Sequence, residues 1–220
     1  MQKALRKRPG QCAQQLADLM QFTEFINLFK SVERLIWFKG VDGRERDGEH
    51  VFQVAITCWF AIERFGLGLD PFKTMVYALV HDLVEAYADD TPAFRKNGDG
   101  CAETPCRIEK QARERASMER IRREWGEKFP SLVAHLDAYE AQADEESRFV
   151  YAMDKFVAEM NVVQDGGRAN KLLGVDIETL DLYKRPRIAR HPFVLALYEE
   201  HFKILLANRD TLFAKTEDPP

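Results

Sequence analysis

An all-α protein, folded as a compact single-domain array of about seven to nine helices, is the expectation from three observations. Apolar residues recur at three and four residue intervals through most of the 220-residue chain. Capping residues and prolines open segments that glycines close, and no stretch alternates with the period of a strand. The composition agrees, because 45% hydrophobic and 31% charged residues is ordinary for a globular protein and excludes a disordered or collagen-like chain. One domain over residues 1–220 is expected, with a core at about 14–165 and a C-terminal helical extension at about 174–214.

From Gln14 to Phe29 a broad apolar stripe marks a first helix, and the short segment from Ser31 to Phe38 is read as continuing it. KGVDGRERDG, at 39–48, is read as a charged, glycine-rich loop. A second helix is expected from about Glu49 to Phe65, stopped by GLG at 66–68. Asp70 followed by Pro71 is a helix start, and Phe72, Met75, Val76, Leu79, Val80, Leu83, Val84 and Tyr87 keep helical period from there without a break. Pro92 and RKNGDG end that regularity. Thr104 and Pro105 open a long charged helix to about Trp125, and Ser131 after Pro130 starts another. Asp144 caps a helix with the apolar face Phe149, Val150, Met153, Val157 and Met160, closed by glycines 166 and 167. A shorter element follows Gly174, and the last substantial helix starts at Pro192 and passes His201, leaving TEDPP as a frayed tail.

The formal net charge of −4 gives no general attraction to a nucleic acid polymer or an anionic membrane, and the longest apolar runs, such as Phe193 to Tyr198, are too short to span a bilayer. The basic opening MQKALRKRPG is followed by no apolar stretch of a secretory signal, so a cytoplasmic location is expected. Cys12, Cys58, Cys101 and Cys106 show no C-x-x-C spacing and are read as reduced thiols, the last two as part of a polar loop.

The candidate chemistry starts at ALVHDLVEAYADDTP, residues 78–92, where His81, Asp82 and Glu85 interrupt an apolar run. On a helix His81 and Glu85 share a face with Asp82 beside them. His50 stands beside Glu49 at the start of its helix, and Asp154 lies at the edge of an apolar stripe next to Val150 and Val157. Such groups lose free energy on desolvation unless something binds them. Two imidazoles and two carboxylates from three helices, His50, His81, Asp82 and Asp154, form a suitable shell for one divalent metal ion, which would compensate the buried acids.

The pattern H…HD…D resembles the HD-domain metal-dependent phosphohydrolases. RERDGEH at 44–50, HDLVEAYADDTP at 81–92, IEK at 108–110 and RFVYAMDK at 148–155 resemble segments of the branch that contains bacterial 5′-deoxynucleotidases and their eukaryotic relatives, over roughly Phe22 to Gln164. Val51 after His50, Gly48, and the proline two residues after Asp90 depart from that pattern. The resemblance implies an HD-domain fold and release of phosphate from (deoxy)nucleoside 5′-monophosphates by metal-activated water. It implies one ion of Mn, Co, Ni, Fe, Zn or Mg, with His50, His81, Asp82 and Asp154 as ligands. It also implies Asp82 and Glu85 as catalytic groups, Glu85 positioning the water or moving its proton, and Asp90 at a sugar hydroxyl. Arg34, in an R-x-x-W segment with Trp37, and Arg44 are candidate substrate contacts, the arginines by bidentate hydrogen bonds to phosphate. The helix face from Arg107 to Arg123 reads as solvated, Lys110 being its one member of interest. The small-molecule partner is thus expected to be a phosphorylated substrate, a nucleotide, and a homodimer is expected by analogy.

Rival readings are a nucleoside triphosphate or other phosphorylated-metabolite hydrolase, and a non-catalytic helical module with a structural metal. Glu85 and Asp90 are not needed merely to hold an ion, which favours catalysis. A two-iron oxygenase centre needs further histidines between His81 and Asp154, where only His135 stands.

Overall fold

The structure, a computed structural model, describes residues 10–94 and 105–214, without the side chains of residues 105–107. The basic opening at 1–9, RKNGDG, the Cys101 and Cys106 thiols, Thr104 and TEDPP lie outside that description. Helices α1 (Gln11–Lys30), α2 (Asp47–Phe65), α3 (Pro71–Val80), α4 (Glu85–Ala88), α5 (Pro105–Trp125) and α6 (Pro130–Ala141) precede α7 (Glu145–Gln164), α8 (Arg168–Leu173), α9 (Ile177–Ile188), α10 (Pro192–Ala207) and α11 (Arg209–Leu212). Among the described residues eight of these have ten residues or more, as an all-α array of seven to nine helices requires.

Local chemistry sets most boundaries. Gly66 takes the left-handed conformation at φ 62° and closes α2. The Asp70 side chain accepts from the Phe72 and Lys73 amides at the start of α3, with Pro71 in the first turn. Asp144 accepts from the Ser147 amide to start α7, whose end is followed by Gly166 and Gly167, both at positive φ.

Three expectations need correction. Ser31–Phe38 does not continue the first helix, and the following segment is not all loop. Residues Glu33–Trp37 form β1, which pairs antiparallel with β2 (Arg44–Arg46) in a two-stranded hairpin. Glu33 faces Arg46 and Trp37 faces Arg44, so β1 carries two more residues than the strand it pairs with. That irregularity cancels the alternation by which a strand is recognised. The helix across His81 is also interrupted: α3 ends at Val80, and Leu83, Glu85 and Ala86 bond back three residues instead of four before α4 begins. A three-residue hydrogen-bond period leaves nearly the same residues facing inward, so the apolar pattern runs on through the break.

The largest core surrounds α7. Phe149, Val150, Met153 and Val157 pack against Val54 and Cys58 of α2, Tyr77 and Ala78 of α3, and Val194 and Tyr198 of α10. Burying each large apolar side chain contributes about 1.5–3 kcal/mol. A second core joins Phe25 and Phe29 of α1, Ile121 and Trp125 of α5, and Leu132 and Leu136 of α6 to Val51 and Leu83. A third lies under α9 and α11, around Leu180 and Leu212. His50 thus stands between Val51 of the second core and Val54 of the first, and His81–Asp82 between Ala78 of the first and Leu83 of the second.

Candidate metal centre

The seam between these two cores gathers polar groups. His50, fully buried in the first turns of α2, places Nε2 2.9 Å from Asp154 Oδ1 and 3.8 Å from Asp82 Oδ2. His81, at the end of α3, places Nε2 3.1 Å from Asp82 Oδ2 and 3.8 Å from Asp154 Oδ1. One ligand atom from each of these four residues lies within 4.8 Å of the other three.

The tautomer of His81 follows from its other contact. Nδ1 is 2.8 Å from the Ala78 carbonyl, so it must donate there, and Nε2 presents its lone pair to the centre. Nε2 is buried and has no hydrogen-bond partner. A lone pair facing two carboxylates requires a cation among them. Burial lowers the basicity of His81, but Asp82 and Asp154 outweigh it and raise the imidazole to about 10 when only a proton can take that place. Burial likewise opposes ionisation of Asp82 and Asp154, yet His81 holds Asp82 ionised, and Lys155 and His50 hold Asp154 ionised. Borderline nitrogen with hard oxygen donors suits a divalent transition ion, so the orphaned Nε2 and the donor set both fit a metal.

A second layer of charge surrounds the four residues. Arg34 of β1 donates from Nη1 to Asp82 Oδ2 at 3.0 Å and to Asp47 Oδ1 at 3.1 Å, and its Nε lies 3.2 Å from Glu45 Oε2. The fully buried Glu45 of β2 also sets Oε1 3.5 Å from His50 Nδ1 and accepts from Asn161 Nδ2. Glu85 Oε2 is 3.8 Å from Arg34 Nη1 and has no hydrogen-bond partner. Burial, together with Asp82, Asp90 and Asp47, pushes the Glu85 carboxyl well above its ordinary range. Burial and Asp82 raise Asp47 to about 6, against the pull of Arg34.

A cavity of about 880 Å³ opens against this wall, lined among others by His81, Asp82, Asp154, Glu85, Asp90 and Arg34. Asp90 follows Asp89, whose backbone sits at φ 59°, a region unfavourable for a non-glycine residue. Among the described residues three lysines line the same cavity: Lys110, Lys155, whose Nζ is 2.6 Å from Asp154 Oδ2, and Lys184. Arg44 and Trp37 do not line it. Arg44 pairs loosely with Glu33 at 3.9 Å, and its guanidinium and that of Arg168 lie over the Trp37 ring. His135 is not among the groups that converge, among the described residues.

Sequence reasoning therefore missed Glu45, Asp47 and Lys155 as parts of the site. Glu45 and Asp47 stand in RERDGEH and Lys155 in RFVYAMDK, so adjacency to a candidate ligand was their one available signal.

A helical array that brings His50 of α2, the His81–Asp82 pair after α3 and Asp154 of α7 together beside one cavity defines a class, proteins built around a metal-suited H…HD…D centre. The chain belongs to the HD domain family, whose model matches residues 26–193. The fold is similar to the crystal structure of a protein described as a predicted metal-dependent phosphohydrolase from Magnetospirillum magnetotacticum MS-1, with TM-score 0.72 and 23% identity over 91% of this chain and 98% of that one. It is also similar to a conserved hypothetical protein from Pyrococcus furiosus, with TM-score 0.54 and 19% identity over 84% and 99% of the two chains. No curated protein matches the chain. No helix among the described residues is long and apolar enough to cross a membrane.

Proposed function

We propose that this chain is a divalent-metal-dependent phosphohydrolase that releases phosphate from (deoxy)nucleoside 5′-monophosphates, its ion held by His50, His81, Asp82 and Asp154. The observation that carries the reading is the orientation of the four groups: His81, Asp82 and Asp154 line the cavity while His50 closes the set from behind. A purely structural site tends to be closed on all sides, whereas a catalytic one keeps a face for substrate. The family, and the similarity to a protein described as a predicted metal-dependent phosphohydrolase, support metal-dependent phosphate hydrolysis.

When bound, the ion supplies Lewis-acid polarisation of the phosphoryl group and makes the attacking water more acidic. The chain supplies the rest. Arg34, Lys110 and Lys155 line the cavity and neutralise the phosphate. Glu85 orients the water and takes its proton at Oε2, and a carboxylate pushed toward neutrality by burial is matched to that transfer. Asp90 accepts from a sugar hydroxyl. Arg44 and Trp37 stay outside this assignment because they do not line the cavity.

The test is a phosphate-release screen of ribo- and deoxynucleoside mono-, di- and triphosphates with Mn, Co, Ni, Fe, Zn and Mg. Turnover fastest on monophosphates is expected. Preference for triphosphates would move the substrate assignment, and silence with every nucleotide and ion would defeat the enzymatic reading.

A further inference from the structure

The cavity is larger than a phosphate needs, and one face of α7 runs along it. Asp154, Lys155, Ala158, Glu159 and Val162 line it in helical succession. Glu159 stands five residues beyond Asp154, about 7.5 Å along the helix axis, so the wall continues from the metal centre toward α8 and α9.

That far wall carries polar groups that the chain leaves unsatisfied. Glu159 is 1% exposed and its Oε1 has no hydrogen-bond partner, while Oε2 is 3.9 Å from Lys184 Nζ. Asn170 of α8 is 4% exposed and its Nδ2 has no partner either. Lys184 of α9 donates to the Lys155 carbonyl at 3.0 Å and keeps two further N–H donors. Burial pushes the Glu159 carboxyl up to about 7, against the pull of Lys184, so the pair alone does not satisfy it. Phe94 and Tyr183 line the same cavity, with ring centroids 5.0 Å apart at an angle of 58°.

We propose that this far wall is a nucleobase subsite selective for keto bases, those presenting a lactam N–H beside a carbonyl. The N–H donates to Glu159, the carbonyl accepts from Asn170 or Lys184, and the Phe94–Tyr183 pair packs against the planar ring. The aromatic pair favours a flat heterocycle over a polyol. Guanine, hypoxanthine, thymine and uracil present the lactam pair. Above about pH 8, where Glu159 is ionised, adenine and cytosine place an unprotonated ring nitrogen where it needs a donor, which leaves a buried carboxylate facing a lone pair. An unsatisfied buried group of that kind costs about 1–3 kcal/mol, or about 5–150-fold in affinity.

This subsite deepens the nucleotide reading above and rests on it, but nucleosides without phosphate test it separately. Titration calorimetry at about pH 8 with deoxyguanosine, thymidine, deoxyadenosine and deoxycytidine is expected to show the first two binding at least about tenfold tighter. Glu159→Gln and, as a second variant, Asn170→Ala are each expected to shrink that ratio to within about threefold. Thermal melts select whichever variant stays folded. Equal binding of all four nucleosides, no binding of any, or a preference that survives in both variants overturns the subsite. Discrimination among nucleosides without phosphate release from any nucleotide overturns the phosphohydrolase reading and leaves base recognition standing.

Discussion

Glu45 acts on the centre only through its neighbours, and that makes it a sharp probe. Its carboxylate faces His50 Nδ1 on one side and Arg34 Nε on the other, and Arg34 in turn holds Asp82. Outer carboxylates of this kind orient a ligating histidine, and losing one typically weakens metal binding about 10–100-fold. Glu45→Gln, which keeps the shape and removes the charge, is expected to show that loss in competition with a chelating dye while its circular dichroism stays native. Asp82 and Glu85 separate two roles in the same way. Asp82→Ala is expected to purify without metal, and Glu85→Gln to retain metal but lose about 100-fold or more in phosphate release. Elemental analysis beside turnover checks the pair, and equal metal loss in both would refute the division. The grouping of His50, His81, Asp82 and Asp154 was legible because His81 and Asp82 interrupt an apolar run, Asp154 edges another, and the H…HD…D resemblance adds His50. Glu45 and Asp47 were not legible, because in RERDGEH they look like any solvated charges until the hairpin turns them inward.

Helices were legible from their periodicity and caps, and the hairpin was not. Its strands are five and three residues long, and the extra residues of β1 erase the period of two. The tightened turn at His81–Val84 was hidden for a related reason, since its inward residues continue the apolar pattern of α3. The cap of α7 carries its own prediction. Burial raises the Asp144 carboxyl, but the Ser147 amide, Lys73 and Tyr77 outweigh it and bring it down to about 2. A carboxyl more acidic in the folded chain than in the unfolded one stabilises above its ordinary pKa, near 4, and loses that contribution as pH falls toward 2. Asp144→Ala is expected to cost about 1 kcal/mol at neutral pH. In urea unfolding the gap between the two proteins should close between about pH 4 and pH 2; a gap constant across that window would exclude the ionised cap as its cause.

Across the molecule, the candidate metal centre is a joint between two cores. Without an ion, two buried aspartates must be compensated by protonated histidine, Lys155 and Arg34 alone. An ion that binds only the folded state at a hundred times its dissociation constant adds about 2.7 kcal/mol. For a chain of this size that corresponds to roughly 5–10 °C in melting temperature. Chelation is expected to lower the melting point by about that amount and re-addition to restore it, whereas Asp154→Ala should not respond to either. The position of Asp154, inside the helix around which the largest core is built, has one more consequence. During synthesis His50, His81 and Asp82 leave the ribosome first, and Asp154 follows 104 residues after His50. A nascent chain therefore has no complete set of the four groups until α7 arrives, and α7 is also the helix on which the largest core assembles before α10 covers it, so the four groups cannot converge before that core begins to form.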